Sequence, residues 1–339
     1  MSDVRSLPQL PLPFELLSAA CSFLSLHDLY VLARTSSVLR AAANDTLYKN
    51  IAIHTNSAPV HFIQKLAAEP PLARLVRTCR IVVGLEDTVT PQPSLAYAEI
   101  ASALSNMSGL TSLSLFAPVC HGGEILKTGP GAFFPQLRQL QASFPFGQIM
   151  IDFLSKTPGL ESLVLDQSRA DLTLEIPHTL LPRLSTISGP GRLSQVLVPG
   201  RPVSSISITS ERLSEDMVSV LAASAGRVTT LSADMSGPLL PILEALAVMM
   251  PELEVIRLDT ANEFCGQFCY TVRRTGFMEQ VKISLNSMHR LKSAEISSLR
   301  WRWGGSLDDR DRRVLLNEPV FWPLGARHEE EGCDDCYPY

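Results

Sequence analysis

Two hydrophobic periods divide the chain. From Phe14 to Leu47 apolar residues recur every three or four positions, which is the spacing of helices. Phe14, Leu16, Leu17, Ala20, Phe23 and Leu24 predict a first helix with one apolar face, entered at Pro13, where a missing amide proton costs nothing. Ser25-Leu26-His27-Asp28 is a polar break in which Ser25 or Asp28 can cap the next helix, carrying Leu29, Leu32 and Ala33. Ser36 can cap a third helix with Val38, Leu39, Ala42 and Ala43, closed by Asn44-Asp45. Three helices in about 40 residues bury too little surface to be comfortably stable alone, so the module is expected to dock on something.

After Ile53 the period changes. An apolar residue, two variable ones, an apolar, one variable and an apolar recur at Leu110/Leu113/Leu115, Leu137/Leu140/Ala142, Leu160/Leu163/Leu165 and Leu184/Ile187/Gly189. The pattern continues at Val203/Ile206/Ile208, Val228/Leu231/Ala233, Leu253/Ile256/Leu258 and Leu291/Ala294/Ile296, with a possible earlier copy at Val76/Cys79/Ile81. First positions advance by 27, 23, 24, 19, 25, 25 and 38 residues, mostly within the period of leucine-rich repeats. Alternation predicts a short strand in each copy. Helical spacing lies between copies at Ala98/Ala101/Leu104/Met107, Met150/Phe153/Leu154, Met217/Val220/Leu221/Ala225, Leu239/Ile242/Leu243/Leu246/Met250 and Val281/Leu285/Met288. Strand plus helix at this period predicts an α/β solenoid, a curved array with a parallel sheet on its concave face. Pro135, Pro158, Pro182 and Pro251 each lie two residues before a first position and stop the preceding helix.

Composition narrows the function classes. The charge is −5, from 29 basic and 34 acidic residues, and Leu307–Tyr339, with 4 Arg against 9 Asp and Glu, accounts for all of it. A neutral body lacks the footprint of a nucleic-acid binder. Met1–Pro13 has no apolar run, and Leu239–Ile256 is interrupted by Pro241, Glu244, Pro251, Glu252 and Glu254, so neither a signal peptide nor a membrane span is expected. Seven dispersed cysteines point to reduced thiols. The expected location is intracellular, cytoplasmic and/or nuclear.

Leu12-Pro13-Phe14-Glu15-Leu16-Leu17, Phe23-Leu24, Asp28-Leu29, Leu39-Arg40 and Leu47-Tyr48 resemble the F-box in order and spacing. The resemblance implies docking on a Skp-type adaptor, which links such modules to a cullin–RING ubiquitin ligase. By position, Leu12 and Pro13 would enter the adaptor's groove. Leu16, Leu17, Leu24, Leu29 and Leu32 would supply helix faces shared between core and adaptor. Ala20-Cys21 stands where F-boxes usually carry a large aliphatic pair, and Tyr48 where tryptophan is usual. Truncating a buried aliphatic to alanine costs on the order of 2–5 kcal/mol if nothing compensates. The Pro-containing turn into each strand resembles the repeat region of fungal F-box proteins. The implied organisation is an F-box-like module at 8–52, an irregular leucine-rich array at 53–306 and an acidic, disordered tail at 307–339. The implied function is a non-catalytic substrate receptor. The alternative is a repeat scaffold without adaptor binding.

A protein substrate would lie along the concave face, where the variable strand positions point. These are Ser114, Phe116, Arg138, Gln141, Glu161, Asp166, Ser207, Thr209, Thr230, Ser232, Asp234, Arg257 and Asp259, a hydroxyl-rich middle with charges to either side. Arg138 and Arg257 are the arginines expected on it, too few for a phosphate-reading cluster.

Other motifs carry less. His121-Gly122-Gly123 resembles an oxyanion-loop motif, but no Gly-x-Ser-x-Gly elbow accompanies it, so a turn is expected and no catalytic residue. Cys333-x-x-Cys336 with His328 would need Cys265 and Cys269 to complete a zinc site, and no metal or other cofactor is expected. Arg300-Trp301-Arg302-Trp303 alternates, which predicts a terminal strand whose tryptophans cap the core.

Overall fold

The computed structural model describes residues 12–54, 60–83, 93–117, 122–166, 176–177, 179–235, 238–260, 275–296 and 299–302. The chain divides into two compact units, Met1–Leu137 and Arg138–Tyr339.

The first unit begins with three helices, α1 (Phe14–Cys21), α2 (Leu26–Leu32) and α3 (Ser37–Leu47). The Pro13 carbonyl accepts the first helical amides, from Leu16 and Leu17. Ser25 caps α2 by accepting from the Asp28 amide, and Ser36 caps α3 by accepting from the Leu39 amide, each at 3.2 Å. The third helix does not close at Asn44-Asp45 as the sequence suggested. It runs through them to Leu47, because Ser18 Oγ of α1 donates to the Asp45 carboxylate at 2.6 Å and occupies a group that would otherwise compete for backbone. Leu17, Cys21, Leu29, Ala42 and Ala43 form the core of the module, with Leu32, Ala33, Leu39 and Leu47 packed around it.

A strand follows at once, β1 (Asn50–His54), with Ile51 and Ile53 buried. The boundary expected at residues 52 and 53 therefore passes through an element. Next come α4 (Val60–Ala68), α5 (Pro70–Ala73), β2 (Thr78–Val82), α6 (Pro93–Asn106), β3 (Ser112–Phe116) and α7 (Gly122–Leu126). Pro70-Pro71 ends α4, since neither residue has an amide to donate. Tyr48 stacks on Phe62 with centroids 5.9 Å apart, tying the end of α3 to α4. The three strands are parallel, and Ile51, Cys79 and Leu113 lie in register on the buried side. Gly122-Gly123 opens α7, so the glycines of the oxyanion-like motif begin a short helix; His121 lies outside the described residues.

The second unit contains β4 (Gln139–Ala142), α8 (Gln148–Leu154), β5 (Ser162–Leu165), β6 (Thr186–Gly189), α9 (Gly191–Leu197), β7 (Ser205–Leu213) and α10 (Glu215–Leu221). It continues with β8 (Thr230–Met235), α11 (Leu239–Met249), β9 (Val255–Thr260), α12 (Thr275–Ser287), β10 (Ser293–Ile296) and β11 (Leu299–Arg302). Strands β4 to β10 pair in chain order and in parallel. Their central apolar residues, Leu140, Leu163, Ile187, Ile206, Leu231, Ile256 and Ala294, form one buried row. Four of the entry turns are closed by the amide of a first-position leucine. Leu160 donates to Thr157, Leu184 to Leu181, Leu253 to Met250 and Leu291 to Met288, at 3.1–3.2 Å. Ser214 caps α10 by accepting from the Met217 amide, with Glu215 and Asp216 in the first turn.

Some helical positions differ from the reading of the sequence: Met107, Met250 and Met288 are buried but stand one residue past the ends of α6, α11 and α12. Ala98 of α6 faces outward, and Ala225 lies beyond the end of α10 and is exposed. The last strand, β11, is antiparallel to β10 and sets Trp301 opposite Ala294, buried, with Arg300 and Arg302 on the other side. Trp303, the tail 307–339, His328 and Cys265, Cys269, Cys333 and Cys336 lie outside the described residues.

Candidate docking surfaces

Adjacent residues in the N-terminal helices have opposite fates. Leu17 is 8% exposed and Leu29 2% exposed, so both are used in the module's own core, with Leu32 packed beside them. Leu12, Leu16 and Leu24 are exposed, as is Pro13. The single apolar face expected for the first helix is thus two faces, one inward and one outward.

The outward face is larger than the candidate residues suggested. Phe23 is 89% exposed and Leu26 75% exposed, and Phe14, Tyr30, Val31 and Val38 are exposed as well. With Leu12, Leu16 and Leu24 these make nine of the thirteen large exposed hydrophobic residues among those described. So much apolar surface in 27 residues, Leu12 to Val38, is unusual on an isolated domain. Phe14, Phe23 and Val38 carried the same helical spacing as their buried neighbours, and spacing alone does not tell a core face from a docking face; Leu26 stood in the expected polar break.

The pair Ala20-Cys21 divides across the two faces. Ala20 is exposed and removes nothing from the core, whereas Cys21 is buried and behaves as a small apolar side chain. Burial pushes the Cys21 thiol pKa up, and the nearby Asp45 carboxylate adds to the rise.

The strands supply a second kind of surface. On β3, β4, β5 and β6, and on β7 as far as Ile208, alternate residues are buried and the intervening ones are open. Ser114 and Phe116 lie on the open side of β3 in the first unit. There Arg80 of β2 stacks over Phe116, with Cζ 5.3 Å from the ring centroid. Arg80 adds to the arginines expected on this side. The doubtful copy Val76/Cys79/Ile81 is a full strand, and it carries the arginine with it.

In the second unit the open row Gln141, Val164, Ser188, Ser207, Ser232, Arg257 and Glu295 runs in register from β4 to β10. Thr230 sits one pair earlier, opposite Val255. Thr209 falls where β7 shifts register between Ser207 and Arg212, so it leaves the row. Asp166 follows β5 and is exposed. Arg138 pairs with Glu161, while Arg257 and Arg300 both approach Glu295, at 3.9 and 2.7 Å. Asp234 and Asp259 are register partners. Burial raises the Asp259 pKa above the usual carboxylate value, and Asp234 and Glu295 raise it further.

One row is occupied by the fold itself. At the strand entries Ser185 Oγ donates to the Glu161 carbonyl (3.0 Å), Ser204 Oγ to Ser185 (3.2 Å) and Thr229 Oγ1 to Ser204 (3.2 Å). In the first unit Thr111 Oγ1 donates to the Arg77 carbonyl at 2.9 Å in the same way. A hydroxyl ladder thus links successive copies.

Among the described residues no helix is long and apolar enough to cross a membrane, and no group of three His, Cys, Asp or Glu could hold a metal ion. No curated protein matches the chain. Residues 10–54 match the F-box-like family model, so the exposed apolar helices and the first strand together make up an F-box-like domain.

Proposed function

We propose that the chain is the substrate-recognition subunit of a Skp–cullin–F-box ubiquitin ligase, working inside the cell. The observation that carries this reading is the concentration of exposed apolar side chains on the helices of an F-box-like domain. Leu12, Pro13, Leu16 and Leu24 meet the adaptor, joined by Phe23 and Leu26. Leu17, Leu29 and Leu32 hold the helices in place behind them. The strand–helix copies are irregular leucine-rich repeats, and a protein substrate lies along their open strand face. Its contacts come from among Ser114, Phe116, Arg138, Gln141, Glu161, Asp166, Ser207, Thr209, Thr230, Ser232, Asp234, Arg257 and Asp259. The subunit is non-catalytic and brings the substrate to the ligase.

Co-purification with a Skp-type adaptor tests the first half. Leu16→Asp and Phe23→Asp place a charge on the exposed face and should abolish adaptor retention without unfolding the chain. Leu17→Asp would instead put a charge into the core, and its loss of binding would report only on folding. Failure of the wild-type chain to retain any adaptor would refute the proposal. A repeat scaffold without adaptor binding is the second reading, favoured by the small side chain of Ala20 within the exposed face. It predicts that deleting the N-terminal helices leaves every partner bound.

A further inference from the structure

The strands of the first unit differ in charge from those of the second. None of the residues in Asn50–His54, Thr78–Val82 or Ser112–Phe116 is acidic, whereas Arg80 stands on their open side and Lys49 and Arg77 at the strand entries. Arg77 is taken up by the Gly109 carbonyl, to which its Nη1 donates at 2.8 Å. Arg80 is different. It is exposed, it lies over the Phe116 ring, and among the described residues no carboxylate or carbonyl engages its guanidinium. In the second unit Arg138, Arg257 and Arg300 each have a glutamate.

We propose that Arg80, held over Phe116, anchors a carboxylate of an acidic peptide segment in the substrate. This rests on the reading that the open strand face holds the substrate, and it names the chemistry of one segment of that substrate. Stacking on the ring restricts the guanidinium, so little freedom is lost when it binds. Its donors form a fork that matches one carboxylate with two parallel hydrogen bonds. Ser114, the register partner of Arg80, places a hydroxyl beside that position, and Lys49 adds positive potential at the strand entry. A carboxylate suits the site better than a phosphate, since phosphate readers gather several arginines and on the described strands of the first unit one has no acidic partner among the described residues. A nucleic acid suits it less, since one partly covered aromatic ring makes no series of stacking platforms.

Fluorescence anisotropy on the purified full chain tests this, with a fluorescein-labelled peptide Gly-Ser-Asp-Glu-Glu-Asp-Leu-Gly as probe. Three further probes are its Asn/Gln counterpart, a phosphoserine counterpart and a single-stranded oligo-uridine. The acidic peptide should bind, more weakly as salt rises. Arg80→Ala and Phe116→Ala should each weaken it by about five- to tenfold. Arg80→Lys, which keeps the charge and loses the fork, should fall between them and the wild type. Arg302→Ala, on the last strand of the second unit, should bind as the wild type does. Equal binding by wild type and Arg80→Ala with unchanged melting temperature would overturn the proposal, as would equal binding of the neutral peptide. Tighter, Arg80-dependent binding of the phosphoserine or RNA probe would overturn the choice of an acidic segment. The assay needs no adaptor, so a chain that binds the peptide but retains no adaptor would refute the ligase reading and leave this one standing.

Discussion

Arg201 is 2% exposed, and its charge is met by carbonyl oxygens alone among the described residues. Nε donates to Leu180 at 2.7 Å, Nη2 to Pro177 at 3.1 Å, and Nη1 to Leu197 at 3.0 Å, with longer contacts to Val196 and Pro199. Val196 and Leu197 end α9, where free carbonyls carry the negative pole of the helix. Burial lowers the pKa of the guanidinium from its ordinary value, and it stays protonated at neutral pH. Arg201 therefore pins the segment containing Pro177 and Leu180 to the end of α9 and to the start of β7. Arg201→Met keeps most of the side-chain volume and removes the donors. Three short bonds to a charged donor, each worth about 1–2 kcal/mol net of solvation, give a loss of about 3–6 kcal/mol. Recovery of the guanidinium's own desolvation cost works against this and sets the lower end. For a unit of this size the loss is about 10 °C in melting temperature. Arg201→Lys keeps the charge but reaches fewer carbonyls, so its melting temperature should lie between the two. Urea denaturation and thermal melts of the three proteins measure the difference. A stability of Arg201→Met within about 0.5 kcal/mol of wild type would mean that desolvation cancels the carbonyl contacts, and the reasoning would fail.

Gly226→Ala should destabilise by about 1–3 kcal/mol, because the added Cβ would sit 2.6 Å from the Pro202 carbonyl carbon and 2.9 Å from its Cα. Gly131→Ala meets nothing within 4 Å and is the control; equal melting temperatures for the two variants would contradict the close approach. Asp259 has a folded pKa above its unfolded value, so the folded state holds its proton more readily. Its contribution to stability is greatest below about pH 4 and falls as the pH rises through the folded value. Asp259→Asn should remove that decline and raise stability at neutral pH, and an unchanged stability–pH profile would refute it. Cys79 is buried, which pushes its thiol up to about 12, so a thiol reagent should modify neither it nor Cys21 until the chain unfolds. Modification of either at native rates comparable to free cysteine would show that the burial is wrong.

The strands were legible because most copies repeat two apolar residues with one position between them, a spacing that an extended chain buries on one side. The alternation of Ile51 and Ile53 has the same meaning, but it stands directly behind Leu47-Tyr48 and merges with the end of the helical period. Helix α9 was invisible for a different reason. It starts at Gly191, behind Gly189-Pro190, a sequence that reads as a turn, and it occupies the shortest interval between copies. The candidate docking residues divide similarly. Leu16 and Leu17 are consecutive, apolar and helical, and only the position of α3 decides that Leu17 is inside. Arg201 gave no signal, since its partners are main-chain carbonyls, which any sequence supplies.

The hydroxyl residues of the strands also require a finer division than composition allows. Serine and threonine on an open strand face are compatible with solubility alone. The entry row is different, because Ser185, Ser204 and Thr229 each satisfy a carbonyl of the preceding copy. Where that row lacks a hydroxyl it carries charge instead. Arg138 pairs with Glu161 at one end, and Lys292 pairs with Glu254 at 2.6 Å at the other. This row joins copies together, by backbone acceptance in the middle and by ion pairs at the ends. The open row, with Ser188, Ser207 and Ser232 in register, makes no such bond among the described residues. Among the described residues its hydroxyls are not committed to the sheet. The division is physical: a donor already committed to a carbonyl must break that bond before it can serve a ligand, and a solvated one must only release water.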